Sequence, residues 1–197
     1  MIDHEFYNGD FYYYPKTITS IDIGNAVTII GQDAFYGCEN LTSITIPSSV
    51  TNVVDTRVFE GCNNVRNVTV PGWTCNIPFF SVTNLVISDG TTSIGSSAFF
   101  NCNSLTSVTI PNSVTSIGEA AFSGCSGLTS VSIPNSVTSI GGNAFDGCSG
   151  LTSMTIEGKD RATVQGMANY PFGLNWANSD GVIIHCTDGD IPVSFAG

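Results

Sequence analysis

Between residues 82 and 156 the apolar positions recur every 23 residues, without gap or insertion. With Leu105 as position 1, the apolar places are Leu105, Val108, Ile110, Val114, Ile117, Ala121, Phe122 and Cys125. Thr, Ser, Asn and Gly fill most of the rest. A unit this short cannot bury its own apolar face, so a fixed period of this length predicts one supersecondary unit stacked on itself. Within the unit, Val108 and Ile110 alternate with Ser107 and Thr109, the period-2 pattern of a half-buried strand. Pro111 ends that strand, having no N–H to give to a ladder. A second extended piece, SVTSIG, turns inward at Val114 and Ile117. EAAFSGC is too short for a helix that stands alone and reads as one helical or 3₁₀ turn held by packing.

The same register extends towards the N-terminus. A first coil begins at Ile18, with Ile21, Ile23, Val27, Ile30, Ala34, Phe35 and Cys38 in place. A second begins at Leu41 and carries one extra residue near Val54-Asp55. A third begins at Val65 but reaches the next strand after only 17 residues, and its GWTCNIPFFS replaces the usual SIGxxAFxGC. Trp73, Phe79 or Phe80 is expected to fill the space left there. A seventh coil opens at Leu151 with Met154 and Ile156. The phenylalanines Phe35, Phe59, Phe99, Phe122 and Phe145 are expected to form one continuous buried column. Cys38, Cys62, Cys102, Cys125 and Cys148, one per coil, are expected to be buried free thiols acting as small apolar fillers, the alternative being disulfides between adjacent coils. Cys75 and Cys186 lie outside this ladder.

The pattern LxxVxIPxSVTSIGxxAFxGCxx, at 105–127 and 128–150, resembles the leucine-rich repeat, specifically the BspA-like subclass of bacterial and protozoan surface proteins. The resemblance implies an α/β-type repeat solenoid, mostly β with short helical or 3₁₀ turns, wound as a right-handed superhelix with a concave parallel sheet. It implies binding, without fixing the partner.

Three divisions are expected. Residues 1–17 hold Phe6, Tyr7, Phe11, Tyr12, Tyr13 and Tyr14 and read as an aromatic-rich N-terminal cap, with Asn8-Gly9 suited to a tight turn. Residues 18–156 form the repeat solenoid, about seven coils with the third shortened. Residues 157–197 form a C-terminal cap, with a short helix around 162–168 and a β-hairpin about Asp188-Gly189 that closes the last open edge.

Charge narrows the function. The formal net charge is −11, with only five basic residues, Lys16, Arg57, Arg66, Lys159 and Arg161, and none between residues 67 and 158. Nucleic-acid affinity depends on clustered Lys and Arg at phosphates, so a nucleic-acid partner is excluded. An acidic chain is not drawn to anionic lipid, and no apolar run approaches the roughly 20 residues that span a bilayer, so no membrane insertion by this chain is expected. The opening residues, MIDHEFYNGDFYYYP, lack a basic segment followed by an apolar one, so no secretory signal is visible.

Catalytic constellations are not found. There is no C-x-x-C, G-x-S-x-G, P-loop or H-E-x-x-H, and His4 and His185 are the only imidazoles. His185, Cys186, Asp188 and Asp190 lie close in sequence, but strand alternation sends the first two to opposite faces, and aspartates are common at turns. The expectation is no enzyme, no metal and no cofactor. The outward strand positions are more informative, because they form a nearly uncharged hydroxyl ladder. Ser107, Thr109, Ser130, Ser132, Ser153 and Thr155 are the candidate recognition strip, with Tyr12 and Tyr13 as alternative aromatic anchors. Ser and Thr also simply suit exposed strands, and an ice-binding array is a further reading of such a ladder. The expected role is a non-catalytic binding or adhesion module of a microbial cell surface or extracellular space, recognising a protein or glycan on a host or microbial surface. The alternative is a structural or assembly component such as a phage-encoded repeat protein, of cytoplasmic or virion origin.

Overall fold

The structure is a computed structural model that describes residues 17–53, 57–72, 81–167 and 182–193. The alternating segments form a first row of strands: β1 (Ser20–Asp22), β3 (Ser43–Thr45), β5 (Asn67–Val70), β6 (Asn84–Ile87), β8 (Ser107–Thr109), β10 (Ser130–Ile133) and β12 (Ser153–Ile156). The SVTSIG-type segments form a second row of two-residue strands: β2 (Ile29–Ile30), β4 (Asn52–Val53), β7 (Ser93–Ile94), β9 (Ser116–Ile117) and β11 (Ser139–Ile140). All pairings within both rows are parallel, and equivalent repeat positions face each other, as in Ile44↔Val68, Leu85↔Val108 and Val131↔Met154. The chain is thus a parallel-strand solenoid with almost no helix among the described residues. The first-row ladder runs β1-β3-β5-β6-β8, is interrupted, and resumes as β10-β12.

The core lies between the rows. Leu105, Val114, Ala121, Phe122 and Cys125 are fully buried, as are their counterparts Leu128, Val137, Ala144, Phe145 and Cys148. The first coil is covered less well: Phe35 packs only partly against the core, and Val27 and Ile29 are exposed. Of the segment expected to cap this end, residues 1–17, all but Thr17 lies outside the described residues.

Two threonine ladders tie coil to coil, and the hydrophobic pattern does not reveal them. At position 2, Thr42, Thr106 and Thr152 donate both backbone N–H and hydroxyl to the carbonyls of Thr19, Thr83 and Thr129. At position 11, Thr51, Thr115 and Thr138 do the same to Thr28, Thr92 and Thr115. Threonine is therefore not only a strand former here, because its hydroxyl repeats the bond that its own backbone makes.

The third side of each coil corrects the sequence expectation of a helical or 3₁₀ segment. In 118–125 alternate amides part company: Ala121, Ser123 and Cys125 donate to the residue three before, while Ala120, Phe122 and Gly124 donate to Gly142, Ala144 and Asp146 of the next coil. Half of the N–H groups that would build a helical turn are spent between coils. The backbone is also left-handed at position 16, in Asp33 (φ 53°), Ser97 (54°), Ala120 (52°) and Asn143 (57°), and again at position 20 in Gly37, Gly124 and Gly147. No right-handed helix survives two such residues per turn. The segment is a chain of turns.

Of the phenylalanine column, Phe59, Phe99, Phe122 and Phe145 are fully buried and Phe35 is only half-buried. Phe35 stacks on Phe59 at 5.3 Å, and Phe99, Phe122 and Phe145 stack at 5.3 and 5.4 Å. Between Phe59 and Phe99 the column would pass through the shortened third coil, whose residues 73–80, including Trp73, Cys75, Phe79 and Phe80, lie outside the described set.

What the third coil does before residue 73 is clear. After Pro71 the chain passes at once to Gly72, whose carbonyl accepts from Gly95 N–H at 2.6 Å. In regular coils that acceptor is the second-row isoleucine: Ile94 for Gly118 and Ile117 for Gly141. Gly72 therefore occupies the second-row position directly, and the corner that other coils build from N-S-V-T-S is skipped. A Cβ at residue 72 would collide with the carbonyl of Ser93, which explains the glycine. The skip also explains why the second row divides into β2-β4 and β11-β9-β7.

Beyond β12 the chain forms α1 (Arg161–Gln165), shorter than the helix expected over 162–168, then β13 (Val182–Cys186) and β14 (Gly189–Val193). Asp160 caps α1 by accepting from Thr163 N–H at 2.8 Å, and Val164 is its buried residue. β13 pairs parallel to β12, and β14 pairs antiparallel to β13. With Cys186 facing Gly189, the two turn residues are Thr187 and Asp188, one position earlier than expected.

Candidate recognition surface

In the first-row strands the apolar side chains turn inward, Val86 of β6 excepted, so the polar ones share the opposite face. Ser107, Thr109, Ser130 and Ser132 are exposed, and Ser153 and Thr155 are half-buried. Register places Ser130 beside Ser153 and Ser132 beside Thr155. Ser107 and Thr109 belong to the other ladder, across the interruption between β8 and β10. The strip therefore comes in two blocks. Tyr12 and Tyr13 lie outside the described residues.

Neighbouring groups already engage part of the strip. Asn84 donates to Asn67 Oδ1 at 2.7 Å and accepts from the Ser107 hydroxyl at 2.8 Å, a polar chain across three coils. Ser132 donates to Glu157 Oε1 at 2.6 Å. Thr109, Ser130 and Thr155 make no side-chain hydrogen bond among the described residues. Two apolar side chains stand out on this face: Val86 of β6, 39% exposed, and Ile183 of β13, 37% exposed.

The hairpin expected to close the last open edge adds β13 to this face, with residues that the candidate strip did not include. Ile183 and His185 fall beside Ser153 and Thr155. The 23-residue period could not place them, because the return from β12 to β13 is not a repeat. His185 Nδ1 lies 2.8 Å from Asp190 Oδ1, both groups on the hairpin surface. Arg161 holds Asp188 through its backbone N–H at 2.8 Å and its Nε at 3.3 Å, and these contacts lower the Asp188 carboxyl below its ordinary range, the backbone hydrogen bond first. Thr163 lowers Asp160 in the same way, through its side-chain and backbone hydrogen bonds. The acidic groups at this end serve turn and cap. Among the described residues, no three His, Cys, Asp or Glu side chains converge as metal ligands.

The ladder cysteines Cys38, Cys62, Cys102, Cys125 and Cys148 belong to the interior as free thiols, while Cys186 is half-buried on the hairpin. Cys62, Cys125 and Cys148 donate their thiols to the carbonyls of Phe35, Phe99 and Phe122 at 3.1, 3.3 and 3.1 Å. Burial, followed by the neighbouring Cys38, pushes the Cys62 thiol up to about 11. Cys125 and Cys148 are raised further, first by hydrogen bonding to the preceding thiol in the ladder, Cys102 and Cys125 respectively, and also by burial. A thiol so placed is a poor nucleophile.

The model of the BspA-type leucine-rich repeat region matches the chain in six copies over residues 5–81 and 76–173. Among solved structures, the chain is similar to a leucine-rich cell surface protein of Faecalibacterium prausnitzii, with 33% identity over 73% of this chain and 39% of that one, at a TM-score of 0.48. It is similar to a leucine-rich repeat protein of T. pallidum, with 30% identity over 66% of this chain and 52% of the other, at a TM-score of 0.39. A leucine-rich repeat protein of Eubacterium ventriosum shares the fold, with 23% identity over 90% of this chain and 46% of that one, at a TM-score of 0.50. The chain thus spans about half the length, or less, of these proteins. No curated protein matches it in sequence. Among the described residues, no helix is long and apolar enough to cross a membrane.

Proposed function

The chain belongs to the BspA-type leucine-rich repeat family, and on that footing we propose that it is a non-catalytic recognition module of a bacterial cell surface, with the first-row face as its contact surface. One observation carries this reading. The exposed positions of β5, β6, β8, β10 and β12 present hydroxyl, amide and small apolar groups in register, with no lysine or arginine between residues 67 and 158. A specific interface takes about 800 Å² from each partner, and two adjoining blocks of strand face supply contiguous area where broken turns do not. Val86 and Ile183 supply apolar anchors, and the hydroxyls between them supply adaptable hydrogen bonds. The partner is a protein or glycan at a host or microbial surface, and the module works at the cell surface or outside it.

The test is a binding screen of the purified chain against extracellular-matrix proteins and immobilised glycans, with Thr109→Lys and Ser132→Lys run beside it. Loss of protein binding in these variants at unchanged melting temperature supports the strip. Retained protein affinity in both would move protein recognition off this face.

A further inference from the structure

The corner missing from the third coil leaves a notch. With Pro71 joined to Gly72, the corner of the second coil, Ser48 and Ser49, faces that of the fourth, Ser88 to Gly90, across an absent rung. A Cβ at Gly90 would stand 3.5 Å from Ser48 Oγ, so two coils that are not neighbours in the stack come into direct contact. Ser88 fixes this geometry: it is buried, its N–H donates to Val70 of the third coil, and its hydroxyl reaches past that coil to the carbonyl of Ile46 at 2.8 Å. Beside this contact, at the C-terminal ends of the first-row strands, opens a cleft of about 510 Å³. Small-molecule sites of this volume, roughly 300–1,000 Å³, are mostly apolar and enclosed, whereas this cleft is polar and wide open, so a ligand in it would keep one face in solvent.

We infer that this cleft binds the sugar rings of a short, uncharged glycan, an inference that rests on the reading of the chain as a recognition module and gives that module a ligand class. Asn25, Thr45, Ser48, Ser49, Thr69 and Asp89 line it, so hydroxyls and one amide surround one carboxylate. Ser49 spends its proton on the carbonyl of Val27 and keeps its lone pairs. Asn25, Thr45, Ser48, Thr69 and Asp89 form no side-chain hydrogen bond among the described residues. The hydroxyls and the amide can both donate and accept, which is what the hydroxyls of a pyranose require, and the Asp89 carboxylate can accept from two adjacent hydroxyls at once. The strip of the later coils is less open, since Ser107 and Ser132 are already engaged. Charge excludes acidic sugars: Asp89 repels sialic acid, uronic acids and sulfate, and no lysine or arginine lines the cleft to offset it.

The test is titration calorimetry of the full chain with lactose, maltose and cellobiose, alongside an array of neutral, sialylated and sulfated glycans. Ser48→Phe fills the notch, Asp89→Ala removes the carboxylate, and Thr109→Lys probes the strip. Ser48 and Asp89 are exposed, so the melting temperature is expected to hold. The expected result is binding of neutral saccharides, weakened at least tenfold by Ser48→Phe and by Asp89→Ala and unchanged by Thr109→Lys. Saccharide binding lost only in Thr109→Lys would overturn the cleft and leave the module reading standing. Preference for sialylated or sulfated glycans would overturn the ligand class. Binding of matrix proteins alone would overturn this inference and support the broader reading, and binding of neither class would overturn both.

Discussion

Phe122 stacks on Phe145 with ring centroids 5.4 Å apart and planes 7° from parallel, and both rings are fully buried. Equivalent residues of adjacent coils stand one strand spacing apart, so the ring distance is the rung distance of the solenoid. The coils on either side are fixed by their own hydrogen bonds and cannot collapse into a hole. Phe122→Ala is therefore expected to lose about 3–5 kcal/mol in urea unfolding. Phe35→Ala, at the less covered end, is expected to lose distinctly less. Equal losses at both sites would show that the first coil is as well covered as the fifth.

Ala120 is left-handed at φ 52°, where an L-residue with a Cβ is strained by about 1–2 kcal/mol. Asp33 and Asn143 hold the same position with side chains that tolerate it better. Ala120→Gly should gain about 0.5–1 kcal/mol, the relief of strain less the greater freedom of glycine in the unfolded chain. Gly124→Ala should act the other way, because φ is +78° there and the added methyl would meet Asn101. Chemical denaturation of both variants checks the pair, and a loss in Ala120→Gly would count against the strain argument.

Thr115 links three coils. Its hydroxyl donates to Thr92 at 3.0 Å, and its carbonyl receives the N–H and hydroxyl of Thr138. Thr115→Val keeps the shape and removes one donor, for an expected loss of about 0.5–1.5 kcal/mol. Ser130→Ala, on the exposed strip, should stay within about 0.5 kcal/mol of the parent. Melting curves that fail to separate the two would mean that the threonine hydroxyls are redundant with the backbone bonds.

The thiols make stability depend on pH. Cys62 titrates at 9.0 in its ordinary state and at about 11 when folded, because its thiolate would be buried beside Cys38. Below about pH 9 both states keep the proton and stability is complete. Between about pH 9 and 11 the unfolded chain ionises while the folded one does not, so stability falls as pH rises. Cys125 and Cys148, raised further, extend the fall upward. Urea midpoints from pH 7 to 11 should decline, and Cys62→Ala should flatten the first part of that decline. A fall that begins well below pH 9 would point to another group.

Much of the fold was legible because burial is periodic. Leu105, Val108 and Ile110 announce a strand and Pro111 its end, and a 23-residue repeat leaves stacking as the one way to cover them. The expected turn of helix at EAAFSGC failed for a reason that composition hides: whether an amide bonds within its own turn or to the next coil depends on neighbours in space. A left-handed position held in turn by Asp33, Ser97, Ala120 and Asn143 has no shared side chain to mark it. The threonine ladders do leave a signal, Thr at position 2 and Thr at position 11, but nothing in a sequence distinguishes a hydroxyl that bonds the preceding coil from one that faces water. Of the candidate surface, the outward alternation was readable and the extra rung at Ile183 and His185 was not, because no repeat predicts the register of a returning hairpin. The notch at Ser48 and Asp89 was visible only as a missing stretch.

The forward-donating amides of the turn side carry one more implication. Phe35, Gly37, Phe99, Asn101, Phe122 and Gly124 all give their N–H to the coil that follows, and none to the coil before. The stack is therefore a polar rod, with unlike chemistry at its two ends. A coil turned end for end would bring donor against donor. New units can enter only head to tail, and duplicating residues 105–127 in place should lengthen the rod by one rung while every donor still finds its acceptor.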